Sequence, residues 1–179
     1  MLTSIALFIY IFNFSGSDEN ARIWARYTAH LSFYYFLVSF LASSLNKLLS
    51  NSFTKSILKN RRYFGISFCI THTWHLVALT YFLIISNEKP SILFLVGGGI
   101  SYIFVYAMAA TSTDTMVAKL GATNWKRLHK WGINYLAVIF LFTFIGRFFT
   151  GNYDPIYGIY VFLISSVYLM KLFLKYRLV

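Results

Sequence analysis

Apolar and polar positions fall along this chain in long blocks. Six apolar stretches, at about residues 2–14, 24–45, 63–85, 91–110, 128–149 and 156–174, are separated by short polar segments. A helix that crosses a bilayer needs about 20 mostly apolar residues, and the last five stretches meet that need. The first is short for a hydrocarbon core of about 30 Å. It has no basic leader, and no small-residue cleavage site follows it, so it reads as a short first span and not as a signal peptide. SGSDENAR at 15–22 is a polar break, and 46–62 is a basic connector able to lie as an interfacial helix. SNEKP at 86–90 and GNYDP at 151–155 are turns, and 111–127 is a polar connector with a turn at Gly121. The pattern predicts an all-α integral membrane bundle of six transmembrane helices, the first one short, in a single domain over residues 1–179.

Composition narrows the class. Charged residues make up 12% of the chain, against about 25% in soluble domains, and mean hydropathy is +0.62. The lone cysteine, Cys69, excludes an internal disulfide and a CxxC redox or zinc motif. Sixteen Lys and Arg against five Asp and Glu would point to nucleic acid in a soluble protein. Their distribution points elsewhere. One set of alternate connectors, with the C-terminal tail, holds 12 basic residues and one acid, Asp114. The other set holds Arg22, Arg26, Lys89 and Arg147 with Asp18, Glu19, Glu88 and Asp154. The positive-inside rule then puts both termini in the cytoplasm, in a cell inner (cytoplasmic) membrane. Membrane lipid, and no nucleic acid, becomes the expected partner, with anionic lipid at the basic connector. Trp24, Trp125, Trp131, Tyr63, Tyr81 and Tyr153 fall near predicted span ends, as interfacial belts do.

The spans hold no Asp or Glu, so four histidines, His30, His72, His75 and His129, stand out as ionisable chemistry at membrane depth. Without carboxylates there is no di-iron site of the bundle type. H-E-x-x-H and G-x-G-x-x-G are absent, which leaves no zinc-hydrolase motif and no flavin or nicotinamide site of the usual kind. Gly97, Gly98 and Gly99 lie inside an apolar span, where close helix packing or a bend is the expected role. A b-type haem remains, because its iron accepts axial imidazoles from facing helices. His72 and His75 are three residues apart and share a helix face. The alternative for each is a hydrogen bond to a Thr, a Tyr or a backbone carbonyl of a neighbouring helix.

Two segments carry a family resemblance. RRYFGISFCITHTWH at 61–75 and LGATNWKRLHKWGINYLAVIF at 120–140 resemble the third and fifth spans of the ferric reductase-like transmembrane domain family. Within it, the segments resemble the haem-binding membrane subunit of the methionine sulfoxide reductase system. The resemblance implies haem held between those spans by one histidine from each. His75 matches the third-span ligand and His129 the first histidine of the fifth, while the second falls at Phe142. Two continuations are open. In one, His30 replaces the missing ligand, so His75 and His30 hold the haem iron. His72, on the same face as His75, is then the other candidate for haem ligation on that span, and Arg26, one turn from His30, pairs with a propionate or snorkels. In the other, the haem is lost and the histidines persist as hydrogen-bonding groups. His129, beside Lys126 and Arg127, meets an electron donor, a quinone headgroup or lipid phosphate, or is simply a wet interfacial residue.

The expected function is transmembrane electron transfer through haem b. Electrons would come from a separate flavoprotein or quinol, since 179 residues leave no room for a nucleotide-binding domain, and pass to an acceptor outside. The alternative is a non-catalytic scaffold or partner subunit of the same fold without haem.

Overall fold

The computed structural model describes residue 9, residues 17–151 and residues 153–177. Among these residues there are helices and no strands. They are α1 (Ser17–Leu49), α2 (Ser52–Lys59), α3 (Arg61–Ser86), α4 (Ile92–Ala110), α5 (Asp114–Leu120), α6 (Ala122–Thr150) and α7 (Pro155–Arg177). Five of them, α1, α3, α4, α6 and α7, are long and apolar enough to cross a membrane. The expected short span at 2–14 lies outside the described residues, Ile9 apart.

One expected break is helical. Residues 17–22 belong to α1, whose 33 residues make a rod of about 50 Å, longer than the hydrocarbon core. Asp18 and Glu19 occupy its first turn, where the positive end of the helix dipole favours acids. The basic connector does form a helix of its own. Asn51 caps α2 by accepting the Thr54 N–H at 2.9 Å, and Thr54 Oγ1 accepts the Asn51 N–H at 3.1 Å. The Thr54 hydroxyl also reaches Asn46 Oδ1 at 3.1 Å, tying α2 to the end of α1. The expected turn at Gly121 separates α5 from α6. Its φ of 74° lies in the region that disfavours a Cβ. Asp154 Oδ1 accepts the Ile156 N–H at 3.0 Å, and Pro155 opens α7, where its missing N–H costs no hydrogen bond.

The chain divides into two compact units. The first comprises residues up to Ser39 with Arg61–Leu95. In it α1 and α3 run antiparallel, and residue numbers fall on α3 as they rise on α1. Arg22 pairs with Glu88 at 3.2 Å, Trp24 meets Tyr81, Phe36 meets Phe68, and Arg61 Nε donates to the Ser39 carbonyl at 3.0 Å. Ala21, Ala25, Thr28 and Ser32 of α1 are buried, and such small side chains let backbones approach closely. Trp24 is a correction to the expected belts. It is only 4% exposed and packs with Ala21, Ala78 and Phe82, because its position on α1 turns inward. Trp131, Tyr63 and Tyr153 are exposed, as belts require.

The second unit comprises Phe40–Asn60 and Val96–Val179. Phe144 of α6 packs on Tyr160 of α7, ring centroids 4.9 Å apart, and Tyr168 Oη donates to the Asn134 carbonyl at 3.4 Å. Glycine lets α4 and α6 meet. A Cβ on Gly97 would stand 3.3 Å from Ile139 Cδ1, and Tyr135 Oη donates to the Gly97 carbonyl at 3.2 Å. Of the three consecutive glycines only Gly97 has this role, since a Cβ on Gly98 or Gly99 meets nothing within 4 Å. The tighter contact is at Gly132, where a Cβ would lie 2.7 Å from Met108 Sδ and 3.2 Å from Phe104 Cδ1.

Gly132→Ala is therefore expected to lose up to about 2 kcal/mol, an overpacking cost of about 1–3 kcal/mol offset by the roughly 1 kcal/mol by which Ala is the better helix former. Gly98→Ala should be neutral or slightly stabilising, since Ala is the better helix former by about 1 kcal/mol. Equilibrium unfolding in detergent or bicelles measures both.

Candidate functional site

The polar chemistry of the first unit concentrates at the middle of the α1–α3 seam. His72 Nδ1 lies 3.1 Å from Ser32 Oγ. His75 Nδ1 lies 3.0 Å from the Ala25 carbonyl oxygen and 3.4 Å from Thr28 Oγ1. The two imidazoles are neighbours, with ring centroids 5.5 Å apart.

Proton counting assigns the tautomer of His75. The Ala25 carbonyl can only accept, so His75 carries its proton on Nδ1, and in the neutral state its lone pair sits on Nε2. Thr28 Oγ1 also lies 2.8 and 3.0 Å from the carbonyls of Trp24 and Ala25. Ser32 Oγ lies 2.9 Å from the Ala29 carbonyl as well as beside His72 Nδ1, and its one hydrogen can serve either, so the His72–Ser32 bond forms with either His72 tautomer. Aromatic rings close both ends of this polar island. Phe68 packs on His72 at 5.0 Å and on Phe36, and the Trp24 cluster lies beyond His75.

The remaining expected site residues are not brought to this place. His30 is two residues from both Thr28 and Ser32, which is about 200° of helical turn. The two hydroxyls face α3, so His30 lies across the body of α1 from His75. It is half-buried there, edge-on to Tyr27 at 6.1 Å. Arg26 follows His30 on that side and is exposed. The arginine held at this end of α1 is Arg22, in the ion pair with Glu88 and 5.5 Å over the Phe82 ring. His129 belongs to the second unit, where its Nε2 lies 3.3 Å from Thr111 Oγ1 and its ring packs on Trp125, centroids 4.3 Å apart and planes tilted by 33°.

Haem b held by His30 and His75 does not fit this arrangement. Two axial nitrogens must stand about 4 Å apart across the iron, each with an iron–nitrogen bond of about 2 Å, and a helix about 10 Å wide separates these two. His72 cannot replace His30, because it projects from the same face of α3 as His75. No slot separates α1 from α3 either, since their polar groups hydrogen-bond directly at this level. Among the described residues, no group of three or more His, Cys, Asp or Glu is placed to hold a bare metal ion. Thr28 and Ser32 are the participants that the histidine pattern does not single out. The available signal was their position with Ala21 and Ala25 on one small-residue stripe of α1. No protein-family profile, curated protein or solved structure matches the chain.

If the His72–Ser32 bond holds the seam, Ser32→Ala and His72→Phe should be coupled. A double-mutant cycle, read by reversible unfolding in bicelles, is expected to give roughly 0.6 kcal/mol, the average of interhelical hydrogen bonds in membranes, and no more than about 1.7 kcal/mol. A coupling near zero would remove the bond from the account of stability.

Proposed function

We propose that this chain is a non-catalytic membrane scaffold or partner subunit with the six-span ferric reductase-like layout, lacking haem. Both termini lie in the cytoplasm, and the protein resides in the cell inner membrane. The carrying observation is that both α3 imidazoles hydrogen-bond through Nδ1 to α1. Imidazole is a costly group in hydrocarbon unless it is bonded. Bonded, it becomes interhelical glue that fixes the rotation of α1 against α3. Such a protein supplies a membrane-embedded surface to a partner, and the residue types that held a cofactor serve packing.

One observation favours a second reading, electron transfer through haem b between a separate flavoprotein or quinol and an outer acceptor. An Nδ1–H given to a backbone carbonyl, as in His75, orients an imidazole with its basic Nε2 lone pair outward, the state in which histidine ligates metals. In that reading His75 is one ligand, and its partner is not His30.

Oxidised and dithionite-reduced visible spectra of the detergent-purified chain, from cells fed a haem precursor, separate the two. The scaffold reading expects no stoichiometric Soret band. A stoichiometric band that His75→Ala abolishes overturns it in favour of electron transfer. Topology is tested separately by impermeant thiol labelling in a Cys69→Ser background. Lys55→Cys and Lys175→Cys should label from the cytoplasm and Glu88→Cys from the outside. Labelling of Lys55→Cys and Glu88→Cys from one side would refute the span count.

A further inference from the structure

The geometry points to a phospholipid site: we infer that the second and third turns of α6 bind the phosphate of an anionic phospholipid headgroup. This inference does not rest on the scaffold reading. α6 has 29 residues, about 43 Å of helix, whereas the hydrocarbon core takes about 30 Å. Its apolar run lies between Trp131 and Phe149, so the excess of about nine residues falls at the N-terminal end. The headgroup layer adds about 5–7 Å per leaflet. Along α6 that depth takes in residues 126–130, next to the apolar run.

Those residues are Lys126, Arg127, Leu128, His129 and Lys130. At about 100° per residue, Lys126, Lys130 and Arg127 share one arc of the helix, and all three are exposed. Trp131 borders the arc and is 72% exposed, at the depth where an indole favours the membrane interface. α6 contains no acidic residue to compete for the cations.

The arc is also held in place. On the adjacent side of α6, Trp125 Nε1 donates to the Thr111 carbonyl at 3.0 Å, and His129 lies against the Thr111 hydroxyl. That hydroxyl donates to the Ala107 carbonyl at 2.7 Å. The start of α6 is thereby fastened to the end of α4. A guanidinium fork and two ammonium groups at headgroup depth complement a phosphate diester, and the acyl chains of the same lipid would lie along Trp131 and the apolar run below.

The test uses the full chain in nonionic detergent, with phosphatidylglycerol retention read by native mass spectrometry. Each basic residue at an anionic surface contributes roughly a factor of five. Lys126→Gln/Arg127→Gln/Lys130→Gln is therefore expected to weaken retention roughly a hundredfold. A charge-matched control outside both basic connectors, Lys89→Gln/Lys175→Gln/Arg177→Gln, should retain lipid like the parent, and circular dichroism should show unchanged helicity in both variants. Inorganic phosphate should leave the lipid in place. Unchanged retention in the α6 variant overturns the site. Equal loss in the control does so too, by showing a diffuse charge effect. Displacement by inorganic phosphate overturns the lipid as ligand in favour of a free anion.

Discussion

A buried imidazole in a bilayer has no water to bond, and the first unit is organised by that constraint. His72 and His75 sit near the middle of α3, and α1 answers each with an oxygen: Ser32 Oγ for one, the Ala25 carbonyl and Thr28 Oγ1 for the other. Meeting that need sets more than two bonds. It fixes how α1 is rotated, which requires Ala21, Ala25, Thr28 and Ser32 to be small, and it turns Trp24 into the seam instead of toward the interface. Phe36 and Phe68 then pack at the next level, and the Ser39–Arg61 contact follows in register.

The second unit meets the bilayer's demands by another route. Apolar surface gains little by leaving lipid for protein, so helices associate through close van der Waals packing. Gly97 and Gly132 remove side chains where α4 and α6 approach, and Met108, Phe104 and Ile139 fill the space. Between α6 and α7 the same end is reached by aromatic packing around Phe144. At the start of α6, Thr111, Trp125 and His129 fasten one corner and leave Lys126, Arg127 and Lys130 exposed.

Much of the architecture was legible in the sequence because its causes are local. Five spans follow from runs of apolar residues, the α2 helix from a basic amphipathic connector, and the α5–α6 break from Gly121. The start of α1 was misread because a polar stretch resembles a loop, yet acids in a first turn favour helix. Hydrogen bonding to a Thr or a backbone carbonyl was among the readings open for His72 and His75, though the partners were not identifiable.

The choice of partner marks the boundary between the two kinds of information. From sequence alone, His30 and His75 lie at similar heights along two antiparallel helices, and height is all that residue counting supplies. Whether two side chains meet depends also on the rotation of each helix about its axis. That rotation is decided by which whole face packs best. On α1 the small residues and hydroxyls win the face toward α3, which carries His30, only two residues from either hydroxyl, to the far side. The sequence by itself determined that the chain is helical, apolar and strongly basic on one set of connectors, with histidine as its main buried ionisable group. Only the tertiary structure decided that the α3 histidines meet Ala25, Thr28 and Ser32 of α1 and not His30 of the same helix, because helix rotation is a property of the packed pair.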